Sequence, residues 1–467
     1  MEKIQMALTL PFRGISYDPQ KIGDLRQVVA PPYDVISPEA QEAFYQRHPH
    51  NVIRLILNKE TPADNPQDNR YTRSAAHYRA WLKEGVLVRA QTPYFYFLKE
   101  EFDLPPGHLG GGVSAPPRKI RQGFIGLIRL EEFGAGVVLP HEKTQAKPKA
   151  DRLALMEACC ANFSQIFSLY SDEEGAMKPI YQKVFSSPEG PSCDIRDEDG
   201  VRHLLWKVSG SQIISRVTEI MRPKKVFIAD GHHRYETALA YRERQRSRFP
   251  RETGRETHHF TMMYLAAVED KGLLILPTHR VVNDLKDFNT ASFLGQLSAN
   301  FSIASFPFEP KNEEVVRERF LRELASRSDK GRALGMVLRE RDQYDLLTLK
   351  SDRALDEAAP MLAPTLKALD VNLLHILIFQ KLLKIGPAEL AAGKNVVYFK
   401  DPKEAALAVR SSQVQMAFFL NPTKVYQVRD VALAGETMPS KSTFFYPKLL
   451  SGLVINPLEP DEGIAVG

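Results

Sequence analysis

Lys225-Val226-Phe227-Ile228-Ala229-Asp230-Gly231-His232-His233-Arg234 reads as a strand passing directly into a helix. Tyr235, Ala238 and Leu239 follow at helical spacing, which predicts a helix to about Gln245. Gly231 lacks a Cβ, so the chain turns sharply there and a ligand can approach the backbone. The first amides of a helix have no intrahelical partners and carry partial positive charge, so an anion against them is stabilised. Arg234 adds a planar charged fork matched to phosphate oxygens. Its charge opposes the helix dipole, a conflict that an anionic partner removes. His232 and His233 add donors, and either can handle protons near neutrality. Asp230 is either a helix cap or the ligand of a magnesium ion carried by a nucleotide. The competing reading of the whole junction is a purely structural turn, with one histidine packed on the sheet.

Upstream, Pro31-Pro32-Tyr33-Asp34 is stiffened by two fixed φ angles, and Ser37-Pro38 predicts a helix through Arg47. Val52–Leu57 reads as a strand, Tyr71–Lys83 as an amphipathic helix and Phe124–Leu130 as a strand. Gly110-Gly111-Gly112 lacks a following Lys-Ser or Lys-Thr and opens no helix, so it is no phosphate loop. His141-Glu142-Lys143-Thr144 sets an acid, cations and a hydroxyl between a strand and a loop. Lys147, Lys149 and Arg152 follow, with a helix from near Asp151. This segment is either part of a site or a solvated basic loop.

Downstream, Phe260–Val268 and Leu273–Leu276 read as strands, and Thr278-His279-Arg280 as a strand end, either at the surface or with Arg280 holding a carboxylate. A new series then predicts helices near 312–326, 370–384 and 402–410 and strands near 334–339, 343–349 and 415–420. The expected organisation is one domain over 1–285 and a second, α/β, over 286–467. In the tail, Lys441-Ser442-Thr443-Phe444-Phe445-Tyr446-Pro447-Lys448 mixes aromatic and cationic residues. Either it closes over a nucleotide, with Lys441 and Lys448 on phosphates, or Phe444–Tyr446 form a strand packing two domains together.

Composition is that of a globular protein: of 467 residues, 43% are hydrophobic and 25% charged. No apolar run approaches the ~20 residues of a membrane span, and the N-terminus lacks a secretory core. A net charge of +5 is too small for a dedicated nucleic-acid binder. Cys159, Cys160 and Cys193 offer no disulfide framework, which fits a reducing, cytoplasmic setting. His232, His233, His258 and His259 show no zinc spacing.

Asp230-Gly231-His232-His233-Arg234-Tyr235-Glu236-Thr237-Ala238 resembles the phosphate-contacting motif of the ParB/sulfiredoxin superfamily. There a Gly-x-x-Arg or Gly-x-His-Arg turn opens a helix and an edge strand follows, here Phe260–Val268. Over its whole length the chain also resembles a prokaryotic family of unknown function, domain of unknown function 1015. The segments are Ala30-Pro31-Pro32-Tyr33-Asp34-Val35-Ile36, His141-Glu142-Lys143-Thr144, the Asp230 motif, and Lys441-Ser442-Thr443 with Tyr446-Pro447-Lys448. The resemblance implies a mixed α/β (α+β) fold, a ParB/sulfiredoxin-like nucleotide-binding core with a second α/β domain.

Sulfiredoxins place a cysteine before the His-Arg pair, where this chain has His232, so that activity is not expected. No helix-turn-helix follows Gln245, as it would in a ParB protein. The turn is most similar to that of kinases that phosphorylate free serine. This points to phosphoryl transfer from a nucleotide, ATP or ADP with Mg2+, to a small hydroxylated metabolite. Such chemistry needs charge neutralisation and a carboxylate that takes up the nucleophile's proton. Glu142, Asp230, His233 and Asp34 are the catalytic candidates. Gly231, His232, Arg234, Lys143, Arg152, Lys441 and Lys448 are candidates for holding the nucleotide, and Asp230 for the metal. A non-catalytic nucleotide-binding regulator and a phosphatase of a phosphorylated metabolite are the alternatives. Neither nucleic acid nor membrane is an expected partner.

Overall fold

The computed structural model describes residues 7–105, 118–144, 146–249, 253–328, 332–391, 393–411, 414–459 and 462–464. Gly110-Gly111-Gly112 and the side chain of Lys147 lie outside the described set. The fold is mixed α/β, built on two sheets. The first uses β1 (Thr9–Leu10), β2 (Phe95–Phe102), β3 (Lys119–Arg129), β4 (Val138–Leu139), β5 (Ile166–Tyr170), β6 (Cys193–Arg196), β7 (Arg202–Val208), β8 (Val226–Asp230) and β9 (Phe260–Ala267). Their order is β4-β8-β5-β9-β3-β2-β7-β6, with β1 also paired to β3. Pairs β4–β8 and β5–β9 are parallel and the others antiparallel.

Strand β8 shows why this sheet is apolar on both faces. Val226 and Ile228 join one core with Tyr235, Ala238 and Tyr241 of the following helix, His232–Arg248. Phe227 and Ala229 join another core with Phe445, Leu450 and Val454 of the tail. Alternate side chains point to opposite faces, so a strand covered twice needs a continuous apolar run. The same logic corrects one expectation: β9 is not an edge strand but lies between β5 and β3. All its residues except Ala267 are buried.

After β10 (Leu274–Leu276), the second sheet is formed by β11 (His279–Val282), β12 (Phe301–Pro307), β13 (Ala333–Leu338), β14 (Gln343–Leu349), β15 (Val396–Phe399) and β16 (Met416–Phe419). Its order is β12-β14-β13-β16-β11-β15, antiparallel throughout. The expected junction at 285/286 falls just after β11, a strand of this second sheet. The tail then returns. Strand β17 (Phe444–Tyr446) pairs with β10, Ser451 bridges Ala30, Ile455 bridges Ile15, and Asn456–Pro457 pairs with Ala161–Asn162.

Three further local readings need correction. Val52–Leu57 is not a strand: Ile53–Ile56 form one helical turn, because the Asn51 side chain accepts the Ile53 amide at 2.9 Å. Asn51 also donates to the carbonyls of Gln27 and Val29, which fixes the cap. Thr278-His279-Arg280 is no surface strand end, since His279 and Arg280 open β11 and are 2% and 1% exposed. The helix expected over 370–384 is α-helical over Asp370–Leu373, continues as a π-helical segment, Leu374–Gln380, and ends short of 384. No helix among the described residues is long and apolar enough to cross a membrane.

Between the first sheet and the tail lies a fully buried ion pair. Arg121 meets Glu100 at 2.6 Å, both are 0% exposed, and Arg121 also donates to the Pro447 carbonyl at 2.8 Å. Removing one partner leaves an uncompensated charge in the core. Arg121→Met is expected to cost about 3–5 kcal/mol in urea unfolding. The Glu100→Gln/Arg121→Met double variant should recover part of that loss.

Candidate active site

Gly231 has φ 97°, in the left-handed region, and caps the helix His232–Arg248. A Cβ there would stand 2.8 Å from the Arg234 guanidinium, which folds back over the turn. Glycine is thus required by the backbone and by its neighbour. Arg234 donates to the Gln165 carbonyl, and its Nη2 lies 3.8 Å from Asp230 Oδ2. The same oxygen receives Lys448 Nζ at 3.0 Å. Burial pushes the Asp230 carboxyl up, but Lys448 and Arg234 outweigh it and hold the group well below the ordinary carboxylate range. Asp230 is therefore ionised, with a cation on either side.

The two histidines of the turn divide. His232 is buried, and its Nε2 accepts the backbone amide of His141 at 3.2 Å. His141 in turn donates from Nδ1 to the Ile228 carbonyl at 2.7 Å, which leaves its Nε2 to accept from the Thr443 hydroxyl at 3.2 Å. Burial brings His141 down to about 4 and His232 well below its usual value, so both rings are neutral at neutral pH. This pair locks β8 to the His141–Thr144 segment and commits His232 Nε2 to the His141 amide. His233 is only partly covered. Burial lowers it, while Glu236 and Asp34 pull it back up.

Beside the turn stands Glu142. Its backbone bridges Met438, and its Oε1 accepts the Lys441 amide at 3.4 Å. Burial drives its carboxyl up to about 7, although Lys441 and Lys448 act in the opposite direction. Asp34, exposed on the turn Tyr33–Val35, acts electrostatically on both His233 and Lys400. Lys400 was not foreseen from the sequence. Its ammonium sits 3.9 Å from the centre of the Phe444 ring, where Lys448 sits at 4.2 Å. Burial lowers Lys400, and the like charges of Lys448 and Lys441 lower it further. Only its place, a lysine ending an apolar strand, marked it in the sequence. A cavity of about 720 Å³ opens beside these groups, lined by Lys400, Phe444, Tyr446 and Lys448 with Arg26 and Asp199.

Two other candidates are placed differently. Arg152 covers the Tyr33 ring at 4.0 Å and bonds Ile56 O at 2.7 Å and Asp151 at 2.8 Å. Lys143 is exposed beyond Glu142. The rest of that segment is pinned to the helix, since Thr144 and Lys149 both donate to Glu236, at 2.7 and 2.8 Å.

The family model described as "Protein of unknown function (DUF1015)" matches residues 9–372. The chain belongs to this family. The matched span holds Asp34, Glu142 and the Asp230–Arg234 turn, and ends before Lys400, Lys441 and Lys448. No curated protein matches the chain. Among solved structures, a conserved hypothetical protein from Pyrococcus furiosus aligns at 10% identity over 69% of this chain and 91% of its own, with a TM-score of 0.30. A free serine kinase in complex with AMP aligns at 11% identity over 68% and 86%, with a TM-score of 0.30. SbnI with a C-terminal truncation, from Staphylococcus aureus, aligns at 12% over 72% and 90%, with a TM-score of 0.34.

In this DUF1015 chain no group of three or more metal-binding side chains occurs among the described residues. Asp230 is an ionised carboxylate at the turn, and a magnesium ion there would depend on phosphate oxygens and water for its other ligands. The turn itself is testable. Gly231→Ala forces a Cβ into the left-handed region and against Arg234, and is expected to cost about 1–3 kcal/mol in chemical denaturation.

Proposed function

We propose that this protein transfers a phosphoryl group from a nucleotide, ATP or ADP, to the hydroxyl of a small metabolite, free serine being the first acceptor to test. The observation that carries this reading is Glu142, a carboxyl brought near 7 by burial and facing Lys441 and Lys448 next to a glycine-opened helix N-terminus. A general base works best when its pKa lies near the working pH, and phosphoryl transfer needs cations around the moving group. The first amides of the His232–Arg248 helix, with Arg234, Lys448, Lys441 and Lys400, hold the phosphates. The acceptor oxygen attacks the terminal phosphorus, the bond from that phosphorus to the leaving phosphate oxygen breaks, and the hydroxyl proton passes to Glu142. Asp34 and His233 orient the acceptor. Asp230 would hold a magnesium ion carried by the nucleotide, which would supply charge neutralisation to the phosphates.

Purified protein with ATP, ADP, CTP or GTP and magnesium tests this. An adenine nucleotide should raise the melting temperature, and phosphorus NMR should show a phosphomonoester that forms only with serine or a related hydroxy compound. Glu142→Gln should keep nucleotide binding and lose about 10²–10⁴-fold in rate. Binding without turnover across a broad acceptor set would instead mean a regulator, and no binding at all would end the nucleotide reading.

Two pH effects follow from the raised Glu142 carboxyl. The base must be ionised, so the rate should climb with pH through about 7. Stability runs the other way. The folded state holds this proton more tightly than the unfolded chain does, so the Glu142 contribution declines as pH rises from the unfolded carboxyl value towards 7. Glu142→Gln never ionises, and should therefore melt higher than wild type at pH 8, by a margin that shrinks at pH 5.

A further inference from the structure

A second cavity, of about 510 Å³, lies in the C-terminal half and is not used by the proposed chemistry. Arg280, Arg332, Thr365 and Asp370 line it, together with Ser442 of the tail. Arg280 is 1% exposed. Its guanidinium donates to two backbone carbonyls, Thr278 O and, at 3.0 Å, Lys441 O, and its Nε has no hydrogen-bond partner. No carboxylate among the described residues lies within ion-pair distance of it. Burial lowers it only to about 10, so it stays charged. Uncompensated buried cations are costly, which makes Arg280 unlike Arg121, whose charge Glu100 neutralises.

Two further groups of this wall want partners. The Thr365 hydroxyl is buried without a hydrogen bond. Asp370 forms no ion pair with a described residue, and burial pushes its carboxyl up to about 7 against the pull of Arg332 and Lys424. A cation awaiting an anion thus shares a cavity with a carboxyl and a hydroxyl awaiting donors. The volume falls within the ~300–1,000 Å³ of small-molecule sites.

We propose that this cavity binds a small organic carboxylate that also carries a hydroxyl or ammonium group, with Arg280 taking the carboxylate and Asp370 and Thr365 taking the donor. A carboxylate offers the oxyanion that a planar guanidinium pairs with. The second group is what distinguishes the ligand from a simple anion, because an inorganic phosphate brings more charge towards Asp370 and fewer donors.

The test uses the full-length protein and titration calorimetry with L-malate, L-lactate, L-glutamate and L-alanine, set against acetate and inorganic phosphate. At least one hydroxy or amino acid should bind saturably, and acetate and phosphate at least tenfold more weakly. Thr365→Val removes only an unpartnered hydroxyl. It should leave the melting temperature unchanged or higher and weaken binding about five- to tenfold. Asp370→Asn should bring the hydroxy and amino acids down towards acetate. Arg26→Ala, in the first cavity, should leave this binding unchanged. Arg280→Lys should abolish it, and because that variant also loses backbone contacts, Thr365→Val decides if it fails to fold. The proposal is overturned if no hydroxy or amino acid binds, if phosphate binds as tightly, or if Arg26→Ala weakens binding while Thr365→Val does not. The readout is binding alone, so it stands whichever way the nucleotide experiment falls.

Discussion

An ionised carboxylate half-buried at the end of a strand draws compensation from nearby cations, and Asp230 finds it at two distances along the chain. Arg234 lies four residues on, and Lys448 lies 218 residues on. The second contact obliges the tail to come back across the first sheet. Everything between Phe444 and Asn456 obeys that demand: β17 pairs with β10, Ser451 bridges Ala30, and Ile455 bridges Ile15. The returning tail covers one face of the sheet with Phe445, Leu450 and Val454, and brings Lys441 beside Glu142. The site is assembled by the element that closes the core.

Arg234 shows how a sound local argument changes meaning inside a fold. A cation in a first helical turn opposes the dipole, and from the sequence alone an external anion is the natural remedy. The structure supplies an internal one, in Asp230 and the Gln165 carbonyl. The case for a phosphate therefore rests on the lysines as well as on Arg234. Lys400 and Lys448 share one aromatic ring, the like charges of Lys448 and Lys441 lower Lys400, and Asp230 pairs with Lys448. Surplus positive charge, rather than one misplaced arginine, is what asks for an anion.

What could be read from the sequence was local. The β8–helix junction, the helix Pro38–Arg47 and most strands after residue 330 carry their period and caps within a few residues. Val52–Leu57 could not be read, because a short apolar run has no period of its own and Asn51 decides its shape through Gln27 and Val29. Arg280 looked like surface for a similar reason: a charged residue is normally exposed, and only strands β15 and β16 on either side bury it. At the site, Gly231, Asp230 and Arg234 announced themselves as a motif. His232 and His233 did not reveal which would turn inward, since that depends on the His141 amide 91 residues away. Lys400 had no motif at all.

Glu142 is where the opposing effects meet. Burial and Asp230 raise its carboxyl, Lys441 and Lys448 lower it, and burial wins. Under the phosphotransferase reading, a bound polyphosphate would change this contest. It would neutralise the lysines and add negative charge of its own, so the Glu142 carboxyl would rise further above 7. A rising pKa makes the carboxylate a stronger acceptor for the hydroxyl proton but leaves less of it ionised at a given pH. A cation arriving with the phosphates would act against both consequences. The lysines alone would then be a poor way to hold both a polyphosphate and a working base, unless that cation restored the balance near Asp230. On this account the site's ionised and its near-neutral carboxyl have separate tasks, Asp230 to anchor positive charge and Glu142 to receive a proton.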